Sequence, residues 1–490
     1  MRDHKPYLFY GQTSSLCEEC LAVVPAKILI EGNNVFYQKR CATHGVQKTL
    51  ISTDAAYYKR CRDYLKPGDI PLAFQSRTHH GCPHDCGLCP DHEQHSCLAL
   101  IEINEACNLT CPVCFADSSP RRPGQLSLAQ IEAMMDALVE SEGEPDLLQI
   151  SGGEPTIHPQ IIEILHLAKR KPIRHLMLNT NGVRIANDKA FVDELAKLKP
   201  GFEVYLQYDS RRKAALENIR GADLRHVRER ALANLEAAGI STTLVCVVKK
   251  GVNDDEVGEI VSHALDYNCV RGVTFQPVQD AGRNDGFDSK RDRVLLTDIR
   301  RDIVEKSGVF GDEDVIPLPC NPESIAIGYG LREGRDVMPI TRMIPKDVIV
   351  SDAPNAITFE KYPELRKRLF DLLSLSAAGQ QTDSSLHSLF CCLPQVEAPS
   401  ELGYDRVFRV IIVQFMDRFN FCLGGVKRSC IHFVTPEKKI IPFDTYNLFY
   451  RPGAAGNAAL ARAQAQAIRP VQSIGTLNAS PAEHPIGGRV

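Results

Sequence analysis

EACNLTCPVCFA, residues 105 to 116, sets Cys107, Cys111 and Cys114 on one short loop. Three thiolates this close can hold three irons of a cubane and leave the fourth iron without a protein ligand, free to bind substrate or cofactor. A structural zinc would prefer two short Cys-x2-Cys pairs and a full set of four ligands. Three buried apolar cysteines on a proline-containing loop have little packing rationale.

The surroundings of that loop predict the fold. It follows LALIEI (98 to 103), the first of six short apolar runs; the others are LLQIS (147 to 151), HLMLN (175 to 179), EVYLQY (203 to 208), TTLVCVV (242 to 248) and VTFQP (273 to 277). Amphipathic helix patterns lie between them, at Leu126 to Ser141, Pro159 to Lys169, Lys189 to Leu198, Leu224 to Ala238 and Asp254 to Tyr267. Strand and helix periods that alternate in this way predict parallel βα units with right-handed crossovers. Six units form a partial barrel or an open doubly wound sheet, with the active site at the C-terminal ends of the strands. Two of those ends are distinctive. LLQIS runs into Gly152-Gly153-Glu154-Pro155, and HLMLN into Thr180-Asn181-Gly182. Gln207, Asp209 and Gln276, near later strand ends, are candidate cofactor or substrate contacts, equally readable as polar caps of buried strands.

Cysteine-loop, GGEP and TNG on strands one, two and three of a βα series resemble the radical S-adenosylmethionine superfamily over roughly residues 98 to 280. The resemblance implies a partial (β/α)6 barrel with a 4Fe-4S cluster on Cys107, Cys111 and Cys114. S-adenosylmethionine would chelate the open iron, its amino group received by Gly152, Gly153 and Glu154, with Thr180, Asn181, Gln207, Asp209 and Gln276 as further cofactor contacts. One electron from the cluster would then produce a 5′-deoxyadenosyl radical that abstracts hydrogen from an unactivated carbon.

Cysteines elsewhere indicate more metal. Of 18, 11 lie in the first 114 residues, and with no secretion signal at MRDHKPYLFYGQTSS they read as ligands in a reducing compartment rather than disulfides. Cys82-x3-Cys86-x2-Cys89 repeats the spacing of the catalytic triplet but follows no strand candidate. With Cys97 as a fourth thiolate it reads as a closed auxiliary cluster; His79, His80, His84, His92 and His95 crowd the same stretch, and one could replace Cys97. Cys17-x2-Cys20 and Cys41-x2-His44 form two knuckles separated by strand-like runs, the layout of a mononuclear zinc or iron site, with Cys61 as an alternative to His44.

LCEECL, CATHG, GCPHDCGLCPDH, KKGVNDDEVG and FQPVQDAGR, read with PLPCNP, RSCIH and PFDTYN further on, resemble the tetraether-lipid synthase group and its bacterial relatives, from about residue 8 to 450. That resemblance implies one or two auxiliary 4Fe-4S clusters, and it brings Cys320 and Cys430 together in one of them, with Cys391 or Cys392 as a further candidate ligand. Asp444 stands where relatives have a cysteine in PFC-x-YN, which makes it a candidate ligand of that cluster. The implied partners are a lipid or small-molecule substrate and a reductant such as a flavodoxin or ferredoxin.

The resulting organisation is an α/β protein: a Cys-rich metal-binding region (1–96), the barrel (97–280), a smaller C-terminal auxiliary region (281–451) and a disordered tail (452–490). A net charge of -4 gives no reason to bind nucleic acid, and no apolar run is long enough for a membrane span. The chain is expected in the cytoplasm, with contact at the inner membrane face left open. The leading reading is a radical enzyme that couples or modifies lipid chains. The alternatives are a radical methyltransferase acting on a pterin or lipid and a non-catalytic iron-sulfur electron carrier. GGEP and TNG count against the last, since a carrier has no use for them.

Overall fold

The computed structural model describes residues 5–65, 67–342 and 406–465. Strands β1 (Leu8–Leu16), β2 (Val23–Glu31), β3 (Asn34–Cys41) and β4 (Gly45–Ser52) form an antiparallel meander in that order. Helix α1 (Ala55–Arg60) follows, and a loop-rich stretch then leads to the main sheet.

All six strand expectations of the central region are met: β5 (Leu98–Glu102), β7 (Leu147–Ser151), β8 (His175–Thr180), β9 (Phe202–Gln207), β10 (Thr242–Val248) and β11 (Val270–Pro277) pair in parallel and in chain order. Strands β7 and β8 are buried at every residue, which is why they read as unbroken apolar runs rather than alternating ones. The crossovers carry α2 (Leu128–Glu142), α3 (Ile161–Arg170), α4 (Val183–Asn187), α5 (Lys189–Ala196), α6 (Lys213–Arg220), α7 (Arg225–Ala238) and α8 (Val257–Ala264). A reciprocal Ser127–Gln130 capping box starts α2, satisfying two of its free N-terminal donors. This α/β arrangement is the series of parallel βα units anticipated from the alternating strand and helix periods.

The region after residue 280 builds onto both edges of this sheet. Strand β16 (Val407–Val413) pairs parallel to β11 and antiparallel to β14 (Ile325–Glu333), which also pairs with β13 (Val315–Pro317). On the other edge β17 (Ile431–Val434) pairs parallel to β5 and antiparallel to β18 (Ile440–Pro442). One apolar cluster joins Leu100 and Ile431 from the β5–β17 edge to Ile316, Leu318 and Ile325 from the β13–β14 edge. The sheet is therefore curled enough for its two ends to meet.

One expectation changes here. The tail expected from residue 452 begins with a helix, Asn457–Ala465, anchored where Asn457 Nδ2 donates to Phe449 O (2.7 Å). Alanine-rich sequence has high helix propensity once one end is tied down. The remainder, 466–490, and Cys391 and Cys392 lie outside the described residues. Among the described residues no helix is long and apolar enough to cross a membrane.

Candidate functional site

The barrel's interior cavity is reached by Cys107, Cys111 and Cys114, by Gly152 and Gly153, and by Asn179, Asn181, Gln207 and Gln276. Cysteine loop, GGEP and TNG thus converge at the C-terminal ends of β5, β7 and β8. Burial pushes the Cys107 thiol up to about 12 and raises that of Cys111. The convergence of three sulfur donors on one cavity wall is what fits a bound metal cluster, whose positive charge would favour the thiolate form.

The loop is held by partners that motif reading did not single out. Arg283 donates from Nε to Cys111 O (2.7 Å) and from Nη2 to Ser118 O (2.7 Å), and pairs with Asp117 at 3.0 Å. Just before it, Gly282 sits at φ +61, and a side chain there would drive a Cβ to 2.4 Å from Cys114 O. The glycines of GGEP have a similar role. A Cβ on Gly153 would lie 2.2 Å from Ala106 O, because Gly153 N and Glu154 N bond Asn104 O and Ala106 O at 2.8 and 2.9 Å. This close approach locks the GGEP turn against the start of the cysteine loop.

Glu154, expected as a cofactor contact, is engaged within the chain and is not among the residues lining the cavity. Its carboxylate is fully buried and accepts from Thr156 N (3.1 Å), Thr156 Oγ1 (2.5 Å), Thr180 Oγ1 (2.7 Å) and Asn181 N (2.7 Å). These donors use its lone pairs to fasten the TNG turn to the GGEP turn, and burial still holds its pKa above the ordinary glutamate value. Thr180 is spent on the same staple, whereas Asn181 keeps its place on the cavity wall.

Asp209, expected near the same site, does not line the cavity either. Its carboxylate is fully buried and takes Arg220 Nε and Nη2 at 2.6 and 2.7 Å, with Val247 N at 3.1 Å. Arg220, not Asp209, lines the cavity, and it lies against Cys111. Gln207 and Gln276 do face the cavity; Gln207 Nε2 reaches Asn179 Oδ1 at 3.5 Å and Gln276 Nε2 reaches Tyr205 Oη at 3.4 Å.

At the N-terminal knuckles the four expected donors converge. Cys17 Sγ and Cys41 Sγ lie 3.4 and 3.6 Å from His44 Nδ1, and Cys20 Sγ is 3.9 Å from Cys41 Sγ. With metal–sulfur bonds of about 2.3 Å, tetrahedral ligand atoms stand roughly 3.5 to 3.8 Å apart, so these spacings suit one four-coordinate ion. Both knuckles turn at the same end of the meander, between β1 and β2 and between β3 and β4. Cys61 is packed in the barrel core instead, beside Tyr57, and so does not replace His44.

Cys97 does not join the upstream triplet. It forms a buried group with Cys320 and Cys430, whose sulfurs are 3.4 Å apart. The cause is strand register: Leu98 pairs with Ile431, so the residues just before β5 and β17 become neighbours. His95 Nε2 approaches Cys97 Sγ at 3.5 Å. Cys82, Cys86 and Cys89 line a separate small pocket with Asp85, His92 and Lys427. Asp444 belongs to neither group as a ligand. Its Oδ1 accepts from Met416 N (2.6 Å), and burial pushes its pKa up to about 7. The turn that carries it faces the upstream triplet, where the neighbouring Thr445 side chain bonds Cys86.

Comparison with known proteins agrees with this layout. The radical SAM superfamily model matches residues 101–264, and the HMPTM N-terminal zinc ribbon domain model matches residues 9–53. The 7,8-dihydro-6-hydroxymethylpterin dimethyltransferase of Methanocaldococcus jannaschii is 31% identical over 482 residues, covering 90% of this chain and 94% of that protein. Mycofactocin maturase MftC of Mycobacterium ulcerans is 30% identical over 175 residues, 35% of this chain and 45% of its own. Among solved structures, Streptococcus suis SuiB bound to S-adenosylmethionine matches with a TM-score of 0.36 at 18% identity, over 42% of this chain and 46% of that one.

Proposed function

Because the chain belongs to the radical S-adenosylmethionine superfamily, in the family of the M. jannaschii pterin dimethyltransferase, we propose that this enzyme methylates a pterin. The observation that carries the reading is similarity that runs through almost the whole of both chains, zinc ribbon and C-terminal region included. The cavity supports it. Apolar walls from Leu98, Leu100, Leu147, Met177 and Ile411 are interrupted by Gln149, Tyr205, Gln207, Thr243, Thr274 and Gln276. A flat heterocycle with polar edges uses both surfaces, whereas a hydrocarbon chain would offer nothing to the Gln149 amide and would not improve the long contacts of Gln207 and Gln276.

In this reading Cys107, Cys111 and Cys114 hold the radical cluster, and Gly152, Gly153 and Asn181 border the S-adenosylmethionine site. When bound, cluster and cofactor supply the carbon-centred radical chemistry. The chain's own work is positional: Arg283 and Gly282 fix the cysteine loop, the Glu154 staple aligns GGEP with TNG, and the closed apolar barrel excludes water from a reactive radical. Cys17, Cys20, Cys41 and His44 bind a mononuclear zinc or iron; Cys97, Cys320 and Cys430 bind an auxiliary centre, and Cys82, Cys86 and Cys89 another. A flavodoxin or ferredoxin serves as reductant.

The test is turnover by anaerobically reconstituted, reduced protein with 7,8-dihydro-6-hydroxymethylpterin and excess S-adenosylmethionine, one molecule serving as radical source and a second as methyl donor. A pterin product heavier by methyl increments is the expected result. Formation of 5′-deoxyadenosine with the pterin recovered unmodified would reject the substrate.

The ribbon site has its own expected outcome. Cys17→Ala/Cys20→Ala should lose one metal equivalent and become protease-sensitive within residues 1–80, because a closed four-ligand site contributes folding energy directly. Formation of 5′-deoxyadenosine should stay near the parent level. Undiminished protection of the N-terminal segment would argue against a structural role.

A further inference from the structure

Gln149 lies in the middle of β7, three residues before Gly152 opens the GGEP turn. Its side chain faces the barrel cavity and the residue is only 3% exposed, yet among the described residues its carboxamide has no hydrogen-bond partner. The register explains why none is offered: Gln149 stands between Leu100 on β5 and Met177 on β8, both apolar and both on the cavity wall. Other polar groups of the cavity are at least partly engaged. Tyr205 and Gln276 approach each other, Gln207 reaches Asn179, and Thr243 donates to Glu203. The amide opens onto the cavity with its hydrogen-bonding capacity unused by the chain, and an aliphatic residue would fit the rest of LLQIS if the cavity held only apolar matter.

We propose that Gln149 reads the ring edge of the substrate, and is the residue by which the cavity distinguishes a planar amide-bearing heterocycle from a hydrocarbon of similar bulk. A carboxamide presents one acceptor and one donor side by side. The lactam edge of a pterin presents the complementary N–H and C=O, so the two can pair through two hydrogen bonds. Leu100 and Met177 supply apolar contact for the ring beside that pair. A site built to hydrogen-bond its ligand also rejects analogues lacking the groups, because its own polar atoms would stay unpaired. This inference rests on the pterin reading and assigns its recognition to a particular side chain.

The experiment compares wild type with Gln149→Leu, both reconstituted and loaded with S-adenosylmethionine. Equilibrium binding of 7,8-dihydro-6-hydroxymethylpterin is measured together with S-adenosylmethionine affinity and the thermal midpoint of the ligand-free protein. The Leu variant should bind the pterin about tenfold more weakly or worse, the loss expected when a buried ligand edge keeps no partner. Its affinity for S-adenosylmethionine should be unchanged, and its midpoint equal or higher, since the amide it replaces bonds nothing within the chain. Gln149→Asn, which keeps the amide but draws it back, should fall between wild type and Leu in pterin affinity. Unchanged pterin affinity in the Leu variant overturns the assignment and leaves the pterin reading intact, as does a loss confined to S-adenosylmethionine. A Leu variant that unfolds or melts earlier also overturns it, because the amide would then serve the fold. If wild type itself binds no pterin, the substrate reading falls and this assignment with it.

Discussion

Replacing Cys107, Cys111 and Cys114 together by Ala should reduce 5′-deoxyadenosine formation to background while iron bound elsewhere in the protein is retained. The three residues share the barrel cavity with Gly152, Gly153 and Asn181, whereas Cys82, Cys86 and Cys89 line a different pocket. If these three are the ligands of the radical cluster, as proposed, their removal takes away the electron donor for cofactor cleavage, so the effect is a loss of activity rather than a graded decrease. The measurement is quantification of 5′-deoxyadenosine after chemical reduction, paired with iron and sulfide analysis. Parent-level cleavage by the triple variant would reverse the roles of the two cysteine triplets. The matching variant at Cys82, Cys86 and Cys89 is the control, expected to lose iron and keep measurable cofactor cleavage.

The largest effect on stability is expected at Arg220. Its guanidinium is 8% exposed and forms the two-pronged pair with the fully buried Asp209. Arg220→Met leaves that carboxylate in the interior with Val247 N as a close donor and Arg228 at 3.8 Å, a loss of about 3–5 kcal/mol for a broken buried pair. The double variant Arg220→Met/Asp209→Asn should recover part of this, since the stranded charge is gone. Arg211 offers a contrast: its pair with Glu259 is as short, at 2.6 Å, but solvent-exposed, so Arg211→Met should cost under about 1 kcal/mol. Denaturant midpoints of the four proteins decide the matter, and similar values for Arg220→Met and Arg211→Met would contradict it. Arg220 also touches Cys111, so the same variant should loosen the cysteine loop and weaken cluster retention.

Most of the barrel was legible in the chain because its order is local. Each strand is a short apolar run and each helix an amphipathic period, and parallel pairing in sequence order needs no information from distant residues. The cysteine knuckles were legible for the same reason: Cys17, Cys20, Cys41 and His44 are close in sequence, and two hairpin turns bring them to one point. GGEP and TNG could be recognised as turns of the site, but not what their side chains do. Glu154 looked like a free carboxylate for the cofactor, and only packing shows four donors of the chain already on it.

The sequence by itself determined the class of chemistry, the six βα units and which neighbouring side chains group together at Cys107–Cys114 and at Cys17–His44. Tertiary structure alone decided which distant groups meet. Cys97 lies closer in sequence to Cys89 than to Cys430, yet the parallel pairing of β5 with β17 sets it beside Cys430. Asp444 occupies a place expected for a ligand, yet its turn directs it to Met416 N. Gln149 reads as one more residue of an apolar strand until the register shows its amide between Leu100 and Met177, facing a cavity. Local periodicity encodes which segments become strands and helices, whereas edge pairing and the curl of the sheet depend on contacts made only when the whole chain has packed.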